Sequence, residues 1–161
     1  GVGLPAGVGA CLASGGRRTI VVSGDGGFQI NAQELQTVAH HGLPIKMFVM
    51  NNRSLGMVRQ FQETYFDGRL QSTVIGYSAP DFVRLAHAYG IPAVKVDSNV
   101  PWEEELRKAI SAAGPFLVEV ELPQDTQVNP KLMVNRPIED MYPFLPREEL
   151  TAEMLVPPEE E

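Results

Sequence analysis

Asp25 stands in GDGGFQIN, Gly24 to Asn31, separated by one residue from the apolar run TIVV, and a second polar pair, Asn51-Asn52, closes the run KMFVM. A carboxylate and an amide oxygen are hard oxygen donors. They suit Mg²⁺, which takes few protein ligands and completes its shell with water and phosphate oxygens. Gly24, Gly26 and Gly27 flank the carboxylate, and glycine permits unusual backbone angles and close approach. Backbone N–H groups in such a turn, and at the start of a following helix, attract phosphate oxygens. A carboxylate beside a diphosphate is repelled unless a cation lies between them. The pattern therefore predicts a metal-bridged diphosphate. Each half alone has a plainer reading, since GDGG is a common turn and Asn pairs often end strands. Specificity comes from finding both behind strands, with Asn52 placed 27 positions after Asp25.

For these groups to meet, two strands must end side by side, and the rest of the pattern supplies them. Residues 4–14, LPAGVGACLAS, suit a short helix with small side chains, and TIVVSG (19–24) reads as a strand. A helix is predicted from about Asn31, with Asn31 and Glu34 as a capping box and Gly42 and Pro44 at its end. PIKMFVM (44–50) has the continuous apolar character of a strand buried on both faces. A helix follows through MVRQFQETYF, then a loop at QSTVIGY. The next helix spans Ser78 to Gly90, with Ser78 as its cap and Pro80 in its first turn. AVKVD (93–97) is a strand, 102–114 an amphipathic helix, and FLVEVEL (116–122) the last strand. This alternation predicts an α/β fold, a doubly wound parallel sheet flanked by helices. Ligands in such sheets bind at the carboxyl ends of the strands. Residues 1–122 form the predicted domain. Residues 123–161, rich in proline and glutamate, read as an extended C-terminal arm that lies over another surface.

Composition bounds the class. The chain has 161 residues, 43 % hydrophobic and 20 % charged, with a formal net charge of −7, which argues against a nucleic-acid partner. The last fifteen residues hold six glutamates and one arginine, so much of the acidity is a solvated tail. No apolar run is long enough to span a membrane. The single cysteine, Cys11, excludes an internal disulfide and suits a reducing, cytoplasmic setting. Among alanine and glycine it reads as a packed residue. The chain opens at GVGLPAGVGA without Met, as a piece of a longer protein would. His40-His41, at a helix end, and His87, off the apolar stripe of its helix, are poor candidates for chemistry.

GDGGFQINAQELQTVAHHGLPIKMFVMNNRSLGMVRQ resembles the thiamine-diphosphate motif. With GVGLPAGVGA and PDFVRLAHAYGI, the match over about residues 1–122 is similar to the acetolactate (acetohydroxyacid) synthase group. The resemblance implies the C-terminal, diphosphate-binding domain of such an enzyme, with thiamine diphosphate and Mg²⁺ as cofactors. It implies Asp25 and Asn52 as side-chain ligands of the metal and Ser54 as a ligand through its backbone carbonyl. Gly24, Gly26, Gly27, Leu55 and Gly56 would lie along the diphosphate, and Met57 toward the thiazolium. Asn51 would brace the loop. Arg59 and Phe61 would face a small 2-oxo acid substrate such as pyruvate. Phe61 departs from the Trp usual after MVRQ, a residue that in the family favours a larger second 2-oxo acid. The activity implied is decarboxylation followed by ligation to a second carbonyl, or alternatively a related decarboxylase or carboligase with a sugar or aldehyde acceptor. A non-catalytic module with the same fold would be expected to lack a metal ligand. The activating glutamate belongs, in the family, to the N-terminal pyrimidine-binding domain of the same or a neighbouring subunit. No glutamate here matches it, so no residue of this chain is expected to be catalytic and the chain alone should not turn over. A homo-oligomer is implied. A nicotinamide-binding domain is disfavoured because GDGGFQ is not GxGxxG.

Overall fold

A computed structural model describes residues 1–99 and 101–157. The chain divides into two compact units, Gly1–Thr126 and Gln127–Glu161. In the first, four strands form one sheet in the order β1-β2-β4-β3, where β1 is Thr19–Gly24, β2 Ile45–Asn51, β3 Ala93–Val96 and β4 Phe116–Glu121. Every pairing is parallel. The helices of this unit are α1 (Gly3–Ala13), α2 (Asp25–Ile30), α3 (Glu34–His40), α4 (Gly56–Tyr65), α5 (Phe82–Ala88) and α6 (Trp102–Ser111).

Side chains alternate across a strand, and β2 uses both sides. Ile45, Met47 and Val49 join Leu4, Val8, Cys11, Phe28, Leu35, Val38, Phe82, Ala86 and Leu117 in one core, with α1, α2, α3 and α5 on that face. Phe48 packs with Phe116, Val118, Val96 and Ala109 in a second core, under α6 on the opposite face. The register Met47↔Leu117 and Phe48↔Val118 keeps like with like. Cys11 is fully buried, as its apolar surroundings predict. At the outer strand β1 only Val21 is buried. Ile20 and Val22 turn away and are 56 % and 64 % exposed. Helix α1 lies so close to β1 that a methyl group at Gly7 would collide with Val21. Lys46, the charge in β2, is fully buried. Its ammonium donates to the Ala112 carbonyl (2.7 Å) and the Gly114 carbonyl, tying β2 to the connection between α6 and β4. Burial, with the nearby Arg18 charge, holds its pKa below the ordinary lysine range.

Three local expectations change. The helix expected from Asn31 is two helices, and the first begins at Asp25 itself. Packing of Phe28 edge-on against Phe82 (5.7 Å between centroids) holds this six-residue helix despite its glycines. There is no capping box. Asn31 ends α2 and donates to the Gly1 carbonyl (2.5 Å), while Glu34 accepts from the Thr37 hydroxyl (3.0 Å). Helix α5 starts at Phe82 rather than near Ser78, because the Asp81 carboxylate accepts from the Arg84 N–H (2.9 Å) and caps it.

The second unit has local structure of its own. Lys131 and Tyr142 form an antiparallel bridge, and Arg147–Glu153 is a short helix, α7, that buries Leu150. The buried Asp140 carboxylate pairs with Arg147 (2.6 Å) and Arg136 (3.4 Å). The Arg147 hydrogen bond holds its pKa below the usual carboxylate range.

Candidate functional site

Strands β1 and β2 are neighbours, and Gly24 pairs with Met50, so Asp25 and the Asn51-Asn52 pair leave the same edge of the sheet. Asp25 is only 2 % exposed. One carboxylate oxygen accepts from the Gly26 N–H (2.9 Å). The other, Oδ2, has no hydrogen-bond partner among the described residues, and neither has the Tyr77 hydroxyl. Burial pushes the Asp25 carboxyl above its ordinary range. The Gly26 amide, the Tyr77 hydroxyl and the Arg53 N–H oppose the shift without cancelling it. The Tyr77 phenol is pushed up in turn, chiefly by burial and then by the Asp25 charge. Tyr77 thus lies near enough to bias ionisation, but without the geometry of a good hydrogen bond.

The second tip is made of two consecutive Asx turns. Asn51 Oδ1 accepts from the Arg53 N–H (3.0 Å) and Asn52 Oδ1 from the Ser54 N–H (3.2 Å). Arg53 takes a left-handed conformation, φ 54°, which is uncommon away from glycine. Its guanidinium pairs with Glu121, and its carbonyl accepts from Gln124 Nε2 (3.3 Å). Beneath the turn, Asn51 Nδ2 donates to Glu119 Oε1 (2.8 Å), and Lys95 Nζ lies 3.3 Å from the same oxygen. The Ser54 side chain is buried and its hydroxyl has no hydrogen-bond partner among the described residues, while its carbonyl accepts from the Gly56 N–H (2.9 Å). The Leu55 N–H donates to the Thr73 carbonyl (3.0 Å).

The glycines act through space rather than dihedral angle. Gly24, Gly26 and Gly27 do not have positive φ, which corrects the expectation of unusual backbone angles. A methyl at Gly26 would collide with Leu55 and sit 3.3 Å from the Tyr77 hydroxyl. One at Gly56 would sit 2.8 Å from Asn52 Nδ2. The two tips are therefore packed against each other. Met57 and Phe61 are exposed on α4, with Phe61 against Tyr65 (4.7 Å) and Phe66 (5.9 Å). Arg59 is 4 % exposed. Its guanidinium donates to the Thr126 carbonyl (2.9 Å) and pairs with Glu63 (3.5 Å).

The sequence reading passed over Tyr77, Thr73 and Glu119. Tyr77 and Thr73 fall in a stretch read only as loop. Glu119 carried a signal, a charge inside an apolar strand.

The donor set fits a small hard cation. It offers an orphaned, buried carboxylate oxygen, an amide oxygen and a backbone carbonyl. No group of three or more His, Cys, Asp or Glu gathers among the described residues. An ion here would take much of its shell from phosphate and water, as Mg²⁺ does. No helix among the described residues is long and apolar enough to cross a membrane.

Comparison with known proteins agrees with this arrangement. Residues 1–120 match the family model "Thiamine pyrophosphate enzyme, C-terminal TPP binding domain". The chain is 38 % identical to an acetolactate synthase of Arthrospira platensis over 141 residues, covering 88 % of this chain and 24 % of that one. It is 42 % identical to the acetolactate synthase large subunit of Lactococcus lactis over 132 residues, 82 % of this chain and 23 % of the relative. The solved thiamine diphosphate-dependent 4-hydroxybenzoylformate decarboxylase of Rhodococcus jostii RHA1 superposes with a TM-score of 0.67 at 31 % identity, covering 77 % of this chain and 23 % of that chain. The chain therefore spans about a quarter of the length of these relatives. Its parallel sheet, its paired strand tips and these similarities together make it a member of the thiamine pyrophosphate enzyme family, as the C-terminal TPP-binding domain and akin to that of acetolactate synthase large subunits.

Proposed function

We propose that this chain is the diphosphate- and Mg²⁺-binding domain of an acetolactate-synthase-like enzyme. That enzyme decarboxylates a 2-oxo acid such as pyruvate and ligates the retained fragment to a second carbonyl. The observation that carries the reading is the buried Asp25 oxygen left without a hydrogen-bond partner among the described residues, next to a turn of oxygen donors. A buried charge is unfavourable unless it is paired or coordinates a metal. Asp25, Asn52 and the Ser54 carbonyl would hold the ion. Gly24, Gly26, Gly27, Leu55, Gly56 and Met57 would line the diphosphate. Bound thiamine diphosphate supplies the carbanion chemistry. The part of this chain is to bind it, orient it and keep water from the metal side, and no side chain here is assigned a proton transfer. The activating glutamate would come from a pyrimidine-binding domain of the same or a neighbouring subunit in a homo-oligomer. The exposed apolar side chains Met57, Val58, Phe61 and Phe66 support a covering surface of that kind.

Calorimetric titration of the chain with thiamine diphosphate should show binding with Mg²⁺ and none with a chelator present. Pyruvate added to the chain with both cofactors should yield neither CO₂ nor acetolactate. Metal-independent binding, or clear turnover, would count against the proposal. The aromatic group around Phe61 favours a second reading, a decarboxylase or a carboligase with an aldehyde or sugar acceptor. Product analysis of the full-length enzyme distinguishes it.

A further inference from the structure

Glu119 lies inside β4 between Val118 and Val120 and is 1 % exposed. Its Oε1 accepts from Asn51 Nδ2 (2.8 Å), Lys95 Nζ lies 3.3 Å away, and Oε2 has no partner among the described residues. An asparagine amide offers a donor at one end and an acceptor at the other, and the two ends are nearly the same shape. An ionised carboxylate only accepts, so it selects the donor end. With Nδ2 drawn to Glu119, Oδ1 is left facing the Arg53 N–H, which it accepts (3.0 Å). A reversed amide would set its donors against that N–H and leave the left-handed turn at Arg53 unpinned. The same turn presents Asn52 and the Ser54 carbonyl.

We infer that Glu119, neutralised by Lys95, is a positioning residue: it fixes the orientation of the Asn51 amide and, through the Arg53 turn, the divalent-cation donors Asn52 and Ser54. The inference rests on the proposed metal-binding role of that turn. It concerns Glu119 and Lys95, which stand apart from the donors themselves.

The test uses the full-length enzyme as wild type, Glu119→Leu and Glu119→Gln. Leu keeps the packing and loses the acceptor, whereas Gln can still accept from Asn51. Hydrogen exchange of the Arg53 and Ser54 amides, measured without metal or cofactor, should quicken about tenfold or more in Glu119→Leu and stay near wild type in Glu119→Gln. Calorimetric Mg²⁺ titration at saturating thiamine diphosphate should show affinity falling roughly 10- to 100-fold in Glu119→Leu, the range for losing a residue that orients a metal ligand. In Glu119→Gln the change should stay within about threefold. Unchanged exchange or unchanged Mg²⁺ affinity in Glu119→Leu overturns the inference, and so does a Gln variant as impaired as Leu. Should Glu119→Leu fail to fold, Asn51→Ala breaks the same link without touching Glu119, and a normal Mg²⁺ titration there overturns it equally. A wild-type enzyme that binds no Mg²⁺ would instead strike the functional reading, leaving the exchange measurement to decide the role of Glu119.

Discussion

The two strand tips that meet at this site are built in opposite ways. The tip of β1 carries a carboxyl group and has little support: one backbone amide, a tyrosine hydroxyl nearby and an oxygen with no hydrogen-bond partner among the described residues. The tip of β2 has neutral amides and is held from every side, by two Asx turns, the Glu119–Lys95 pair, the Glu121–Arg53 pair and Gln124. The difference separates two tasks. A group meant to meet a cation can be left unsatisfied within the chain, whereas groups that fix a distance must be rigid before any ligand arrives.

The comparison can be broken most directly at Asp25. Asp25→Ala should lower Mg²⁺-dependent affinity for thiamine diphosphate by at least about 100-fold, measured by calorimetry. Asp25→Asn should weaken binding similarly while leaving the unliganded chain as stable as before or about 1 kcal/mol more stable, because a buried charge without a full set of partners is removed. Loss of stability in Asp25→Asn would erase the contrast. Asn51→Ala should do the reverse of Asp25→Asn and destabilise the unliganded chain by about 1–3 kcal/mol in urea unfolding, since it leaves buried Glu119 with Lys95 alone and orphans the Arg53 amide. Gly56→Ala sharpens the picture further. Its methyl must displace the Asn52 amide, so affinity should fall about tenfold while stability shifts by less than about 1 kcal/mol. Ser54→Ala should be the mildest, within about threefold in affinity, because its hydroxyl has no hydrogen-bond partner among the described residues and only its carbonyl is assigned to the ion.

How the site showed itself in the sequence follows the same division. The strands were legible because β1 and β2 are apolar runs, and their tips because a charge or an amide pair ends each run abruptly. The interior of the turns was not. Helix α2 has six residues and two glycines, so local propensity argues against it. Packing of Phe28 against Phe82 decides the matter, and the sequence gives no sign of that contact. Ser78 was read as the cap, but it is the carboxylate of Asp81, three residues on, that reaches the Arg84 amide. Glu119 was visible as an anomaly in FLVEVEL, but its partner Asn51 lies 68 residues away. The pairing exists only because the strand order places β4 beside β2. Tyr77 has no periodicity to reveal it and reaches Asp25 through the fold alone.

The outer position of β1 has a practical side. Among the described residues its far flank has no neighbouring strand, and Ile20 and Val22 add two aliphatic side chains to the solvent face. Such a margin invites strand-to-strand association between copies, so a concentrated preparation of this chain should self-associate there. Val22→Lys is the smallest change expected to keep it monodisperse while leaving the cation-binding turns untouched.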